Sequence, residues 1–177
     1  NAGDNHTFTI NGNAIVNSGD LRLNNGGDVT VVGTTTVNGG RVLVSISSSA
    51  TSRNAFFTLG NVAISNLVSG AYSPIVLKAS SSNMGGQLIL KGDLSFIGTD
   101  SNTNTVLFDS ENSTLINQGI IALDGTRTFD IGNGAAAVDV QCNVAITNNG
   151  STVGALIKAG LGTLALNGTN TFSGGTT

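Results

Sequence analysis

The chain contains few of the residues on which enzymes, nucleic-acid-binding proteins and membrane spans depend. Only 10% of its 177 residues are charged, against roughly 25% in typical globular domains. Tryptophan is absent, and proline, methionine and tyrosine occur once each. The net charge of −3 provides no attraction to nucleic acid or to an anionic membrane surface. No run approaches the roughly 18 apolar residues of a membrane-spanning helix. We therefore expect neither a nucleic-acid partner nor a membrane span.

Histidine and cysteine are equally scarce. The single cysteine, Cys142, cannot form a disulfide within the chain. The single histidine, His6, is incompatible with most histidine-dependent triads and metal clusters inside one chain, and we expect it at the surface. The sequence therefore predicts no catalytic, metal or cofactor site.

The acidic residues offer one arrangement to weigh against that prediction. Asp109 and Glu111 share one face of an extended strand, where two carboxylates could flank a glycosidic bond or hold calcium. The favoured interpretation is a solvated turn. Asp124 is expected in a turn, and Asp130 and Asp139 are expected to point outward from strands.

Short apolar runs that recur about every eight residues indicate an all-β protein. Gly, Asn, Asp or Ser separates the runs, of which Ala55–Leu59 and Ala137–Val140 are examples. No segment has helical periodicity over three turns. We expect a single domain over residues 1–177.

Two all-β architectures fit this pattern, a β-sandwich and a β-solenoid. Asn-Gly steps, as at Asn11, Asn25, Asn38, Asn149 and Asn167, keep the hairpins of a sandwich possible. Only 5% of the residues are aromatic, however, and small aliphatic residues with Gly and Asn corners favour the solenoid. At about 20 residues per turn, we predict roughly eight or nine rungs and a rod about 40 Å long.

The strongest motif lies at residues 154–177, which read GALIKAGLGTLALNGTNTFSGGTT. The segment resembles the autotransporter-associated β-strand repeat of secreted bacterial passenger domains. The resemblance rests on Gly154, Leu156, Lys158, Gly160, Gly162, Leu164, Leu166, Gly168, Asn170, Phe172, Gly174, Gly175, Thr176 and Thr177.

Other parts of the chain share this resemblance to different degrees. Residues 32–44 and 124–177 are similar to the family, whereas residues 47–117 match it only in style. The resemblance implies a right-handed parallel β-helix and a place outside the cell or on the bacterial surface. In that family the motif is associated with transport of passengers across the outer membrane.

The resemblance and the strand-like ends together favour a structural role over a chemical one. If the end of one chain met the start of another, GGTT followed by Asn1-Ala2-Gly3 would nearly continue the repeat. We therefore expect a head-to-tail homopolymer, with an interface at Asn1, Ala2, Gly3, Thr176 and Thr177. One alternative is an adhesin or passenger stem that binds a host surface or glycan, with Phe56, Phe57 and Tyr72 as a possible patch. The other is a sandwich pilin that donates a strand around Thr7–Val16.

Overall fold

The computed structural model describes residues 6–24, 27–45, 55–65, 72–81, 84–101, 103–110 and 119–177. Within these ranges the chain forms eighteen strands and no helix. It follows that the described residues include no helix long and apolar enough to cross a membrane. The strands belong to three ladders of parallel pairs.

Each sheet contains every third strand of the chain. The first sheet contains β1 (Thr7–Ile10), β4 (Asp28–Val31), β7 (Ala55–Leu59), β10 (Met84–Leu90), β13 (Ile120–Leu123) and β16 (Ala145–Asn148). The second contains β2 (Ala14–Val16), β5 (Thr35–Val37), β8 (Val62–Ser65), β11 (Leu94–Ile97), β14 (Thr126–Ile131) and β17 (Ala155–Ala159). The third contains β3 (Asp20–Asn24), β6 (Arg41–Ser45), β9 (Tyr72–Ser81), β12 (Val106–Asp109), β15 (Val140–Cys142) and β18 (Leu164–Leu166).

This order makes the protein a parallel β-helix, as the sequence predicts. The chain visits the three sheets in turn, so three successive strands form one rung and each strand pairs with its counterpart in the next rung. A short antiparallel contact between the end of β9 and the start of β10 is the exception among the described pairs. The alternative β-sandwich would require antiparallel sheets, so that alternative is wrong.

The described strands form six complete rungs, and the prediction of eight or nine is wrong. The register places Val29 opposite Phe57, Phe57 opposite Leu88 and Leu88 opposite Ile121. The middle turns therefore take 28, 31 and 33 residues, because their connections are longer than the predicted 20-residue turn allows. Six layers about 4.8 Å apart make a stack of about 29 Å.

The core consists of aliphatic and aromatic columns that run along the stack. In the first sheet, Phe57, Leu88, Ile121 and Ile146 lie above one another and are at most 1% exposed. The buried cluster extends from Ala14 to Leu156. Alternate residues of each strand point into this core. The apolar residues whose period-2 spacing predicts the strands are therefore the ones that fill the interior.

Polar side chains tie successive rungs together at the corner before the second sheet. Asn13 Oδ1 accepts the Thr34 amide at 2.9 Å, and Asn61 Oδ1 accepts the Asp93 amide at 2.9 Å. Asp93 Oδ1 in turn accepts the Thr128 amide at 2.8 Å. Each of these oxygens accepts a hydrogen bond from a backbone amide of the following rung. The hydrogen bonds between strands do not reach that amide.

The strand boundaries agree with the sequence where the apolar pattern is strict and differ where a loop interrupts it. Ala55–Leu59 is a strand, as predicted. Ala137–Val140 is not, because the residues before Val140 form a loop and β15 begins at Val140. Asp139 closes that loop, since its Oδ1 accepts the Gly134 amide at 2.6 Å.

One buried hydroxyl predicts a stabilising substitution. Thr35 is 0% exposed, and its Oγ1 has no hydrogen-bond partner, while Ala14 and Val62 are its neighbours in the adjacent rungs. We expect Thr35→Val to raise the free energy of unfolding by about 1–2 kcal/mol, because it removes an unsatisfied buried polar atom at nearly constant volume. Urea unfolding at constant m-value measures the change.

Thr36→Val is the matched control for this substitution. Thr36 is the next residue of β5 and is less buried than Thr35, so a change within about 0.5 kcal/mol is expected. A loss of stability in Thr35→Val would show that the Thr35 hydroxyl forms a hydrogen bond in solution.

Candidate functional site in the last rung

Residues 156–177 form a rung that closes on its own first strand. The chain leaves β17, forms β18 and returns so that Thr176 lies beside Leu156 as an isolated parallel bridge. The Leu156 amide donates to the Gly175 carbonyl at 3.0 Å, and the Thr177 amide donates to the Leu156 carbonyl at 3.0 Å. The Lys158 amide donates to the Thr177 carbonyl at 2.8 Å. This turn takes 20 residues from Leu156 to Thr176, which is the length that the sequence predicts.

The glycines of this rung lie directly against the backbone of the rung before it. A Cβ atom at Gly168 would stand 2.1 Å from the Val144 carbonyl oxygen, and one at Gly162 would stand 2.4 Å from the Gly132 oxygen. Both distances are far below a van der Waals contact. Gly160 also has a φ of +74°, in the left-handed region that glycine adopts most readily. The glycines therefore allow the corners to stack closely.

Two polar side chains of the rung bind backbone atoms. Asn170 Oδ1 accepts the Ile146 amide at 2.9 Å and so extends the first-sheet ladder beyond β16. Lys158 Nζ donates to the carbonyls of Ala159 and Gly160 at 2.7 and 2.9 Å. The ammonium group therefore stabilises the corner that follows β17.

The inward-facing apolar side chains are covered to different extents. Leu156 is 1% exposed, because Thr176 lies over it. Leu164, Leu166 and Phe172 pack against the core but are only partly buried. The reason is that β18 has one described neighbour, β15, whereas strands inside the stack have one on each side. The last rung therefore presents an incompletely covered apolar layer.

Residues 156–177 match the family model described as passenger-associated-transport-repeat. The chain carries this transport repeat. No curated protein and no solved structure matches the chain. The transport repeat indicates an autotransporter passenger domain and hence an extracellular protein, secreted or held at the cell surface.

The transport repeat accounts for most of the motif residues that the sequence singles out. The structure places them in the closed rung, where Leu156, Leu164 and Leu166 point inward and the glycines form or flank the corners. Of the expected end-to-end interface, Thr176 and Thr177 lie on this rung and pair with β17. Asn1, Ala2 and Gly3 lie outside the described residues.

The structure describes four of the five acidic residues that the sequence analysis singles out. Asp109 ends β12 and its Oδ1 accepts the Ser110 amide at 2.8 Å, while Glu111 lies outside the described residues. Asp130 is exposed, as predicted. Asp124 accepts a hydrogen bond from Asn149 Nδ2 at 3.1 Å. Within the described ranges no group of three His, Cys, Asp or Glu side chains is placed to hold a metal.

The prediction that Asp139 points outward is wrong. Asp139 is 2% exposed, and its two carboxylate oxygens accept the Gly134 amide at 2.6 Å and the Thr163 amide at 2.7 Å. The second bond reaches the rung of the transport repeat. A loop that folds under the next rung needs an acceptor for these donors, which is why the carboxylate turns inward.

Tyr72 and Phe57 do not form the surface patch that the adhesin alternative would use. Phe57 is 0% exposed and Tyr72 is 6% exposed; Phe56 is partly buried on the opposite face of β7. The Tyr72 hydroxyl donates to the Gly40 carbonyl at 2.6 Å, and burial raises the pKa of Tyr72 to about 12. Burial also raises the pKa of Cys142 to about 12, against the opposing effect of a backbone hydrogen bond with Val144.

The sequence interpretation missed the side chains that cross-link the rungs, above all Asn13, Asn61 and Asp93. Each immediately precedes a strand of the second sheet. A polar acceptor just before three of the six strands of the second sheet was the available signal. It becomes visible only after the strands have been assigned to sheets.

The close contact at Gly168 predicts a strong effect of one methyl group. Gly168→Ala should lower the free energy of unfolding by about 2–3 kcal/mol, because the added Cβ would meet the Val144 carbonyl and force the corner apart. Thermal or urea unfolding followed by circular dichroism measures the loss. At Gly12, nothing lies within 4 Å of an added Cβ, so Gly12→Ala should be neutral or slightly stabilising. Equal effects at both positions would contradict the stacking of the repeat corner.

The raised pKa of Tyr72 predicts a loss of stability in alkali. Below pH 10 the hydroxyl keeps its proton in both the folded and the unfolded chain. Between pH 10 and about 12 the unfolded chain loses that proton while the folded chain retains it, so stability falls across this window. Cys142 acts in the same direction above its usual pKa of 9.

Absorbance at 295 nm tests this directly, because Tyr72 is the only tyrosine and tryptophan is absent. The folded chain should titrate near pH 12, and the chain in concentrated urea near pH 10. Circular dichroism along the titration shows whether the fold persists. A midpoint near pH 10 in the folded chain would mean that Tyr72 is exposed in solution.

Proposed function

We propose that this protein is an extracellular structural β-helix whose rungs stack head to tail with those of further copies in a surface filament or matrix. The observation that supports the proposal best is the parallel stacking itself, in which each strand pairs in register with its counterpart in the next rung. The proposed role is structural rather than enzymatic and requires no cofactor.

The backbone of β18 is arranged to continue the stack. The Thr163 carbonyl and the Asn167 amide bond to β15. In a parallel ladder the intervening groups alternate in direction, so the N–H and C=O groups of Leu164 and Leu166 face away from β15. A further strand in parallel register would satisfy these groups and cover both leucines.

The first rung offers a matching apolar surface at the opposite end. Phe8 is aligned with the inward-facing column of Val29 and Phe57, yet it is 60% exposed. Contact between the two ends is heterologous and does not close on itself, and such contacts generate filaments. Because few charges lie on the described end strands, little repulsion opposes the contact.

A second candidate is a stem segment of a longer passenger, which the transport repeat itself favours. In that case the next rung of the same polypeptide covers Leu164 and Leu166. An adhesin that binds a host surface or glycan is a variant of this candidate, with the β-helix as the support. The two candidates differ in whether association depends on protein concentration.

Negative-stain electron microscopy over a range of concentrations separates them. Filament formation predicts fibres with an axial repeat of about 29–34 Å, which corresponds to six or seven layers. Leu166→Lys should leave single rods, because it places a charge in the end contact. Val32→Lys is the control, since Val32 is already 59% exposed and precedes β5 on the side of the rod. Single rods of the unaltered chain at every concentration would refute the filament and favour the stem.

A further inference from the structure

A groove of about 440 Å³ lies on the outward face of the second sheet and spans four rungs. Its floor includes Ala63 and Ser95, two small side chains that pair in register on β8 and β11. The larger Thr36 and Asp130 lie beside them in the rungs on either side. The volume is in the range of ligand pockets, about 300–1,000 Å³. The polar residues that line the groove are Thr34, Asn61, Asp93, Ser95, Thr128 and Asp130.

Four of these polar residues form a column that runs along the rod. Thr34, Asn61, Asp93 and Thr128 occupy equivalent positions in four successive rungs, because the residues that directly follow them pair with one another in register. Neighbours in the column are therefore about 4.8 Å apart. The groove presents a regular series of hydrogen-bonding groups at this spacing.

The hydrogen bonds between rungs hold two members of the column in a fixed orientation. Asn61 Oδ1 accepts the Asp93 amide, and Asp93 Oδ1 accepts the Thr128 amide, at 2.9 and 2.8 Å. The Asn61 amino group and the second Asp93 oxygen have no partner among the described residues, and neither has the Asp130 carboxylate. Groups that are held in place before a ligand arrives lose little freedom on binding. The groove therefore offers hydrogen-bonding groups that are oriented and unused.

We infer that this groove binds an uncharged oligosaccharide. The Asn61 amino group donates hydrogen bonds, the carboxylates of Asp93 and Asp130 accept them, and the threonine hydroxyls do both. Sugar hydroxyls also donate and accept, so each of these groups finds a partner on the same ligand. The Ala63 methyl group contacts the carbon–hydrogen face of a sugar ring. This role rests on the adhesin form of the second candidate function and does not depend on filaments.

Other ligands fit the groove less well. An acidic glycan would bring its charges against Asp93 and Asp130, which repel them. An extended peptide binds most readily by adding a strand to a free sheet edge. The strands that contribute to the groove lie inside the second sheet and are paired on both sides. A basic peptide would therefore depend on the two carboxylates alone, and its binding would weaken as salt is added.

Equilibrium dialysis against hexasaccharides labelled with 2-aminobenzamide tests the inference. The probes are cellohexaose, maltohexaose, mannohexaose and chitohexaose, which are uncharged, and labelled hexalysine represents a basic peptide. At least one hexasaccharide should bind, and its affinity should change by less than about twofold between about 0.05 and 0.5 M salt, because screening acts on charges. Binding of no hexasaccharide, or of hexalysine alone, would overturn the inference.

Asn61→Asp and Asn13→Asp are matched variants for this measurement. Each new carboxylate retains an oxygen that can accept the amide of the next rung, at Asp93 and at Thr34 respectively. Asn61 lines the groove and Asn13 does not. Asn61→Asp should weaken binding by about tenfold, because it replaces a donor by an acceptor. Asn13→Asp should stay within about twofold, because surface changes away from a site have small effects.

Asp130→Ala provides a second variant with no structural bond to lose, and it should also weaken binding. If neither Asn61→Asp nor Asp130→Ala weakens binding in folded protein, as checked by circular dichroism, the inference is overturned. Electron microscopy of the same samples separates this result from the proposed filament, because the groove lies on the side of the rod. Fibres that bind no hexasaccharide would refute the groove alone. Single rods that bind one would support the groove and refute the filament.

Discussion

Parallel stacking of one rung on the next, in register and about 4.8 Å apart, is the constraint on which the rest of this structure depends. Every strand inside the stack completes its hydrogen bonds with the layers on both sides. The corners must stack at the same spacing, so their residues must allow the backbones of successive rungs to lie close together. Gly162 and Gly168 leave no room for a side chain, while Asn13, Asn61 and Asp93 place an acceptor where the strand ladder leaves a donor.

The same constraint connects the transport repeat to function. A rung is never sufficient by itself, because the layer above must cover its apolar side chains and satisfy its outer backbone groups. The repeat meets part of this need by returning to pair with its own first strand at Leu156. It leaves Leu164, Leu166 and Phe172 partly buried.

Stacking also separates the two kinds of contact available to the molecule. Along the axis, association extends backbone ladders and depends on register. Across the axis, it depends only on side chains that point outward, and the low charge of the chain leaves these faces with little mutual repulsion. Ile157 and Leu166 lie in successive strands of the chain, yet one points outward from the rod and the other into it.

The sequence alone determined the all-β class, because period-2 alternation is a local signal, as Ala55–Leu59 illustrates. Composition and the resemblance of residues 154–177 to the passenger repeat together favoured the solenoid over the sandwich. Only the tertiary structure decided the number of rungs, since turn length varies with connections that carry no periodic signal. It also decided that Asp139 and Tyr72 are buried. Their partners, the Thr163 amide and the Gly40 carbonyl, lie 24 and 32 positions away and are brought close only by stacking.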